Sequence, residues 1–104
     1  MPAEGVIAAA RTAGRKDLVI TTIDLGENVA IDIARGGYVK GLGAQRPYDA
    51  GVVEALLAGY GLLGKQAPAF VALPALPVTQ ANLLEGWKQV YRAEATDKIK
   101  KSMK

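Results

Sequence analysis

A predicted strand, a polar elbow and the longest predicted helix follow one another over residues 38–63, and this junction constrains the fold more than any other stretch. The elbow is Gln45-Arg46-Pro47. Proline fixes its own φ and disfavours a helical conformation in the residue before it, so the helix is predicted to begin near Pro47. A proline in the first helical turn costs no intrahelical hydrogen bond. Gln45 is therefore expected at the carboxyl end of a strand, where open α/β sheets bind their ligands.

The apolar patterns on both sides of the elbow alternate between helix and strand. Helical spacing predicts helices over residues 3–13, 27–35 and 48–63, and a last helix after Thr79 or Asn82. Its apolar face carries Leu83, Leu84, Trp87 and Tyr91. Strands are predicted over residues 18–23 and 38–44, and a short or edge strand lies within the proline-interrupted segment 70–79.

This order of elements favours the α/β class. The β-branched run 18–23 has no polar alternation, which is typical of a strand buried on both faces in a parallel sheet. We therefore predict a three-layer αβα arrangement around a small, mostly parallel sheet, with residues 1–92 forming one domain. Three strands make a thin sheet, and no strand precedes the first helix, so we expect a partial lobe. The charged segment 93–104 is predicted to be a flexible tail.

Composition excludes several functions. The chain has no cysteine and no histidine, which removes disulfides, thiolate metal sites and the commonest general base. The net charge is +3, but three of the lysines lie in the last five residues, so a nucleic-acid-binding face on the folded body is not expected. No apolar run approaches membrane-spanning length, and the N-terminus lacks a signal-peptide pattern. We expect a soluble chain with no cofactor and no metal.

Several short motifs occur in order along residues 4–92. They are residues 9–17 before a strand, Thr22-Ile23-Asp24 at its end, the predicted helix up to Gly37, Ala44-Gln45-Arg46-Pro47-Tyr48 followed by Gly51, and Pro77-Val78-Thr79-Gln80-Ala81-Asn82. In this order and spacing they resemble the C-terminal part of the substrate-binding proteins of sugar ABC transporters, of the ribose-binding type. The chain has Leu25 where that family usually has glycine after the aspartate.

The resemblance implies a fold and a function. Proteins of that family close two α/β lobes over a sugar. It implies a partial periplasmic-binding-protein-like (flavodoxin-like) lobe, in which residues 1–45 resemble the C-terminal lobe, 46–79 the hinge and the other lobe, and 80–92 the terminal helix. The implied function is non-catalytic sugar recognition for an ABC transporter permease, in the periplasm. A chain that truly starts at Met1 without an export signal would instead be cytoplasmic.

Asp24 and Gln45 are the candidate ligand-binding residues. By resemblance they match strand-end and hinge positions that hydrogen-bond sugar hydroxyls. Their chemistry agrees, since a carboxylate accepts hydroxyl protons and a carboxamide both donates and accepts. The alternatives are a turn or helix-capping aspartate and a glutamine that only solvates a strand end. No nucleophile–base pair with assignable geometry is present, so we predict that the chain is not an enzyme.

Two other features favour structural interpretations. Gly41-x-Gly43 hints at a dinucleotide loop, but Arg46 holds the third glycine position and a proline follows it. Trp87 and Tyr91 could stack on a sugar, yet their helical spacing favours a place in the core.

Association with another chain is expected. The apolar strand 18–23 and the apolar stripe of helix 48–63 need a cover, and unpaired sheet edges invite pairing. We expect a homodimer or association with a missing N-terminal portion. The alternative function is a stand-alone oligomeric structural or interaction module that has lost ligand binding.

Overall fold

The computed structural model describes residues 2–103. The elements in chain order are α1 (Pro2–Thr12), β1 (Ile20–Ile23), α2 (Glu27–Ala34), β2 (Val39–Ala44), α3 (Pro47–Leu62), β3 (Leu76–Val78), α4 (Leu83–Tyr91) and α5 (Asp97–Ser102). A 3-10 turn over Gln80–Asn82, closed by a capping box between Thr79 and Asn82, leads into α4. All the predicted helices and strands are present, and α5 is an additional one.

The three strands form a mixed sheet in the order β1-β2-β3. β1 and β2 are parallel, whereas β2 and β3 are antiparallel. The expectation of a mostly parallel sheet is corrected by β3. Leu76 at the start of β3 pairs with Ala44 at the end of β2, so α3 and the chain after it leave and re-enter the sheet at the same end. A parallel third strand would need a crossover to the opposite end. The chain is therefore a mixed α/β protein.

Helices cover only one face of the sheet. Leu42 and Val78 pair with each other on the buried face, where α2 and α4 pack. On the other face, Thr21 and Pro77 are exposed and Ile23 keeps 61% of its surface accessible. Within residues 2–103 the arrangement has two layers, not the expected three, and β1 is not buried on both faces. The apolar side chain of Ile23 in β1 is therefore left uncovered.

One hydrophobic core joins the sheet to the helices around it. Its largest fully buried side chains are Val29, Ile33, Val39, Val78, Leu83, Val90 and Ile99. They come from α2, β2, β3, α4 and α5, so the core depends on elements from nearly the whole length of the chain.

The segment after α4 is folded, which corrects the predicted flexible tail over the described residues 93–103. α5 packs on α2, with Ile99 fully buried and Ala95 5% exposed. The Thr96 hydroxyl donates a hydrogen bond to the Glu27 carboxylate over 2.7 Å. The prediction was wrong because it followed the charged composition of this segment. The position of α5 depends instead on the burial of two apolar side chains, Ala95 and Ile99.

A buried carboxylate ties three elements together. Asp32 of α2 is 2% exposed. Arg11 of α1 donates to its Oδ1 over 3.0 Å, and the Val39 backbone N–H at the start of β2 donates to its Oδ2 over 2.8 Å. A side chain at Gly37 would clash with the same carboxylate, so the turn between α2 and β2 requires glycine at that position.

The glycines of β2 accommodate the neighbouring strand. A Cβ on Gly41 would lie 3.4 Å from the Val78 carbonyl oxygen, and one on Gly43 would lie 3.7 Å from Ala75 Cβ. Gly41 thus lies against the backbone of β3, and Gly43 lies against the Ala75 side chain just before it. Both residues lie inside a strand, so they do not form a dinucleotide-binding loop.

Helix α3 stands apart from the rest of the molecule. None of its residues is buried, although its sequence is apolar all round. The Cα radius of gyration is 16.9 Å, and the principal extents are 58 × 25 × 17 Å. A compact chain of this size has a radius of gyration of about 13 Å. The helix expected here is present, but it is not amphipathic: its apolar residues lie around the whole helix, and residues 2–103 leave them uncovered.

We expect Asp32→Ala to lower the free energy of unfolding by about 3 kcal/mol, because it leaves the Val39 N–H buried without an acceptor. The matched control is Asp17→Ala, which removes an exposed pair with Arg15 and should leave the free energy of unfolding nearly unchanged, because solvent screens such pairs. Urea unfolding followed by the fluorescence of Trp87, the single tryptophan, measures both at one protein concentration. Equal losses in the two variants would contradict the assigned role of Asp32.

Candidate functional site

Asp24 forms the turn that leaves β1. Its φ is 69°, in the left-handed region that aspartate tolerates better than most residues. Its N–H approaches the Gly43 carbonyl oxygen at 3.4 Å, which extends the pairing of β1 with β2 by one residue. Leu25, next in the chain, is 2% exposed and belongs to the core. The positive φ falls on Asp24 itself, so leucine is accommodated after it.

Gln45 lies beside Asp24 at the same edge of the sheet. β1 and β2 run in parallel, with Ile23 paired to Gly43, so the residues that follow them emerge together. Both side chains line a cavity of about 190 Å³. Its other lining residues are Leu25, Gly26, Pro47, Val90 and Tyr91. The structure thus brings the two predicted site residues into one cavity.

The side chains of Asp24 and Gln45 at this cavity can still form hydrogen bonds with a ligand. Within residues 2–103, neither the Asp24 carboxylate nor the Gln45 carboxamide is engaged in a side-chain hydrogen bond. A carboxylate offers acceptors only, whereas a carboxamide offers two donors and an acceptor. A ligand with hydroxyl groups can use both, since each hydroxyl donates and accepts.

Tyr91 closes one side of the cavity. Its hydroxyl donates to the Leu25 carbonyl oxygen over 2.5 Å, and its ring contacts Trp87 with centroids 4.4 Å apart. Burial raises the pKa of Tyr91, and the nearby Asp24 carboxylate raises that pKa further. The tyrosine therefore presents a neutral ring beside a negative charge.

An ion-pair cluster holds the base of α3 against the end of α4. Arg92 follows α4 with a left-handed φ of 53°, and its Nη2 donates to the Asp49 carboxylate over 2.9 Å. Arg46 Nη1 lies 3.9 Å from the same carboxylate, while its Nε is buried without a hydrogen-bond partner. The cluster fixes the elbow that carries Gln45.

Gln45 also lines a second cavity of about 320 Å³ on the side of Leu73 and Ala75.

Sequence reasoning located part of this site. It identified Asp24 and Gln45, and it placed Trp87 in the core, where the side chain is 8% exposed. It assigned Tyr91 to the core as well, although 36% of that residue is accessible and its ring lines the cavity. The Asp49–Arg92 pair joins residues far apart in the chain, and no local pattern signals it.

Residues 2–103 contain neither a metal-binding cluster nor a membrane-spanning helix. That part of the chain brings together no cluster of three or more histidine, cysteine, aspartate or glutamate side chains able to hold a metal ion. None of its helices is both long and apolar enough to cross a membrane.

Comparison with known proteins gives no family for the chain. No protein-family profile matches the sequence, and no curated protein is significantly similar to it.

We expect the pKa of Tyr91 to lie above the ordinary value of a tyrosine, because burial and the Asp24 charge oppose ionisation of its hydroxyl. The stabilising contribution of neutral Tyr91 is complete below the ordinary tyrosine pKa of about 10 and is lost as pH rises through the higher folded-state value. Tyrosinate absorbance during an alkaline titration measures the effect.

Tyr91→Phe should remove the late component of this titration. Asp24→Asn should move this component to lower pH without abolishing it, because burial is the larger cause of the raised pKa of Tyr91. A titration of the unaltered chain that Tyr91→Phe leaves unchanged at its alkaline end would contradict the described environment of Tyr91.

Proposed function

We propose that the chain is a sugar-binding component of an ABC transporter and recognises its solute without catalysis. One observation carries the proposal: Asp24 and Gln45, at the carboxyl ends of two parallel strands, line a single cavity. Open α/β sheets bind ligands at this edge. The arrangement agrees with the resemblance of the sequence motifs to ribose-type substrate-binding proteins.

The finer fold assignment is part of the same proposal. Residues 1–45 would correspond to the C-terminal lobe of such a protein and residues 46–79 to the hinge and the other lobe. The separation of α3 from the core supports this division, since a helix of one lobe has no reason to pack on the core of the other. The bound sugar would pass to a membrane permease, and the site of action would be the periplasm.

The chemistry of the cavity suits a neutral monosaccharide. Its volume of about 190 Å³ is below the range in which pockets for drug-sized ligands begin, roughly 300 Å³. Asp24 would accept two sugar hydroxyls, Gln45 would bridge donor and acceptor groups, and the Tyr91 ring would contact an apolar face of the sugar. No step of bond making or breaking is required of these groups.

A titration of the isotope-labelled chain with pentoses and hexoses, followed by nuclear magnetic resonance of its amide groups, tests the proposal. At least one sugar should shift the signals of Asp24, Gln45 and Tyr91 together, with saturation. Asp24→Asn is preferred to alanine because asparagine tolerates the left-handed backbone, whereas alanine would add strain. Asp24→Asn and Gln45→Ala should each weaken binding about 10-fold, the equivalent of a lost buried hydrogen bond of roughly 1–3 kcal/mol.

The matched control is Gln66→Ala, at an exposed glutamine in the segment after α3. It should bind the same sugar with unchanged affinity. Saturable binding that survives both site substitutions would refute the assignment of Asp24 and Gln45. No shift with any sugar in a folded chain would refute sugar binding and favour the alternative, an interaction module without a ligand.

A further inference from the structure

Helix α3 exposes a continuous apolar surface. Tyr48, Val52, Leu56 and Tyr60 follow one another at four-residue spacing, with 54%, 46%, 59% and 43% of their surfaces accessible. Residues four apart lie on one side of a helix, so these four form a ridge. A helix that is apolar all round is normally buried, and within residues 2–103 nothing buries this one. Isolated in water, such a surface favours association.

A second row beside the ridge forms a groove. Gly51, Ala55 and Gly59 also recur every four residues, one position before Val52, Leu56 and Tyr60. A Cβ added at Gly51 or Gly59 would meet no atom within 4 Å. The glycines therefore serve no close packing inside the described chain. Each glycine destabilises a helix by about 1 kcal/mol relative to alanine. Packing of another helix into the groove would offset that cost.

The ridge and the groove on one helix are complementary to themselves. Under a two-fold axis at Ala55, Gly51 of one copy lies opposite Gly59 of the other, because both are four residues from the axis. The ridge of each copy then fits the groove of its partner, which is the commonest way in which two helices pack. Two-fold symmetry makes one surface patch sufficient for both partners.

Charge does not oppose this contact. The only charged residues of α3 are Asp49 and Glu54, and neither belongs to the ridge or the groove. Arg92 and Arg46 already flank the Asp49 carboxylate. The pairing of two copies therefore brings no like charges together along the contact.

We propose that α3 is a homodimerisation helix that packs against α3 of a second copy about a two-fold axis at Ala55. Sixteen residues give a helix about 24 Å long, whose exposed half offers roughly 400 Å². A stable interface buries roughly 800 Å² of each partner. In the chain that follows α3, Leu63 and Phe70 are also uncovered, with 71% and 83% of their surfaces exposed.

Light scattering during size-exclusion chromatography of the full chain tests the proposal. At a protein concentration on the order of 10 μM, the expected mass is that of a dimer, twice the 10.9 kDa of one chain. Val52→Lys places a charge in the ridge and should give a monomer with unchanged helical content. Val6→Lys is the matched control, because Val6 is a helical valine with similar exposure, 49%, on α1, and it should remain a dimer.

Cysteine cross-linking tests the position of the axis. The natural chain has no cysteine, so an introduced thiol can react only with its own copy in the partner. Ala55→Cys should form a disulfide-linked dimer rapidly on mild oxidation, since residues on a two-fold axis lie within disulfide reach. Glu54→Cys, on the adjacent position pointing away from the contact, should cross-link much more slowly.

Four results would overturn the proposal. A homogeneous folded monomer would leave α3 to be covered by a different polypeptide. Assemblies of many sizes would show unspecific apolar association. Equal cross-linking of the two cysteine variants, or a dimer that survives Val52→Lys, would place the contact elsewhere on the chain.

Discussion

The position of the Asp32 carboxylate is the constraint on which the rest of the structure depends. It accepts from the Arg11 side chain and the Val39 N–H, and so joins α1, α2 and the start of β2 at one buried point. A buried carboxylate without these partners would carry a large desolvation cost. Because β2 begins at Val39, this contact fixes the start of the strand that leads to Gln45.

A second set of polar contacts determines the position of α3. The Asp49–Arg92 pair joins the first turn of α3 to the end of α4, while apolar packing contributes little there. Gln45 and the cavity lie between these two anchors. The candidate site is therefore held by the core on one side and by an ion pair on the other, which allows the elbow to be fixed while the helix beyond it remains free to pair.

Local patterns in the sequence predicted the elements, because periodicity, prolines and glycines act over a few residues. Pro47 determined the start of α3, and the carboxyl ends of β1 and β2 placed Asp24 and Gln45 side by side. The direction of β3 could not be predicted, since it depends on the path of the chain through α3 and back. The burial of Ile99 was missed because it depends on a complementary surface of α2 distant in sequence.

The nature of the ligand is the central claim, and intermolecular nuclear Overhauser effects test it most directly. With a bound monosaccharide, the ring protons of Tyr91 and the side-chain amide of Gln45 should both show contacts to sugar protons, since both residues line one cavity. Contacts confined to other parts of the surface, or none from a sugar that binds with saturation, would contradict the account.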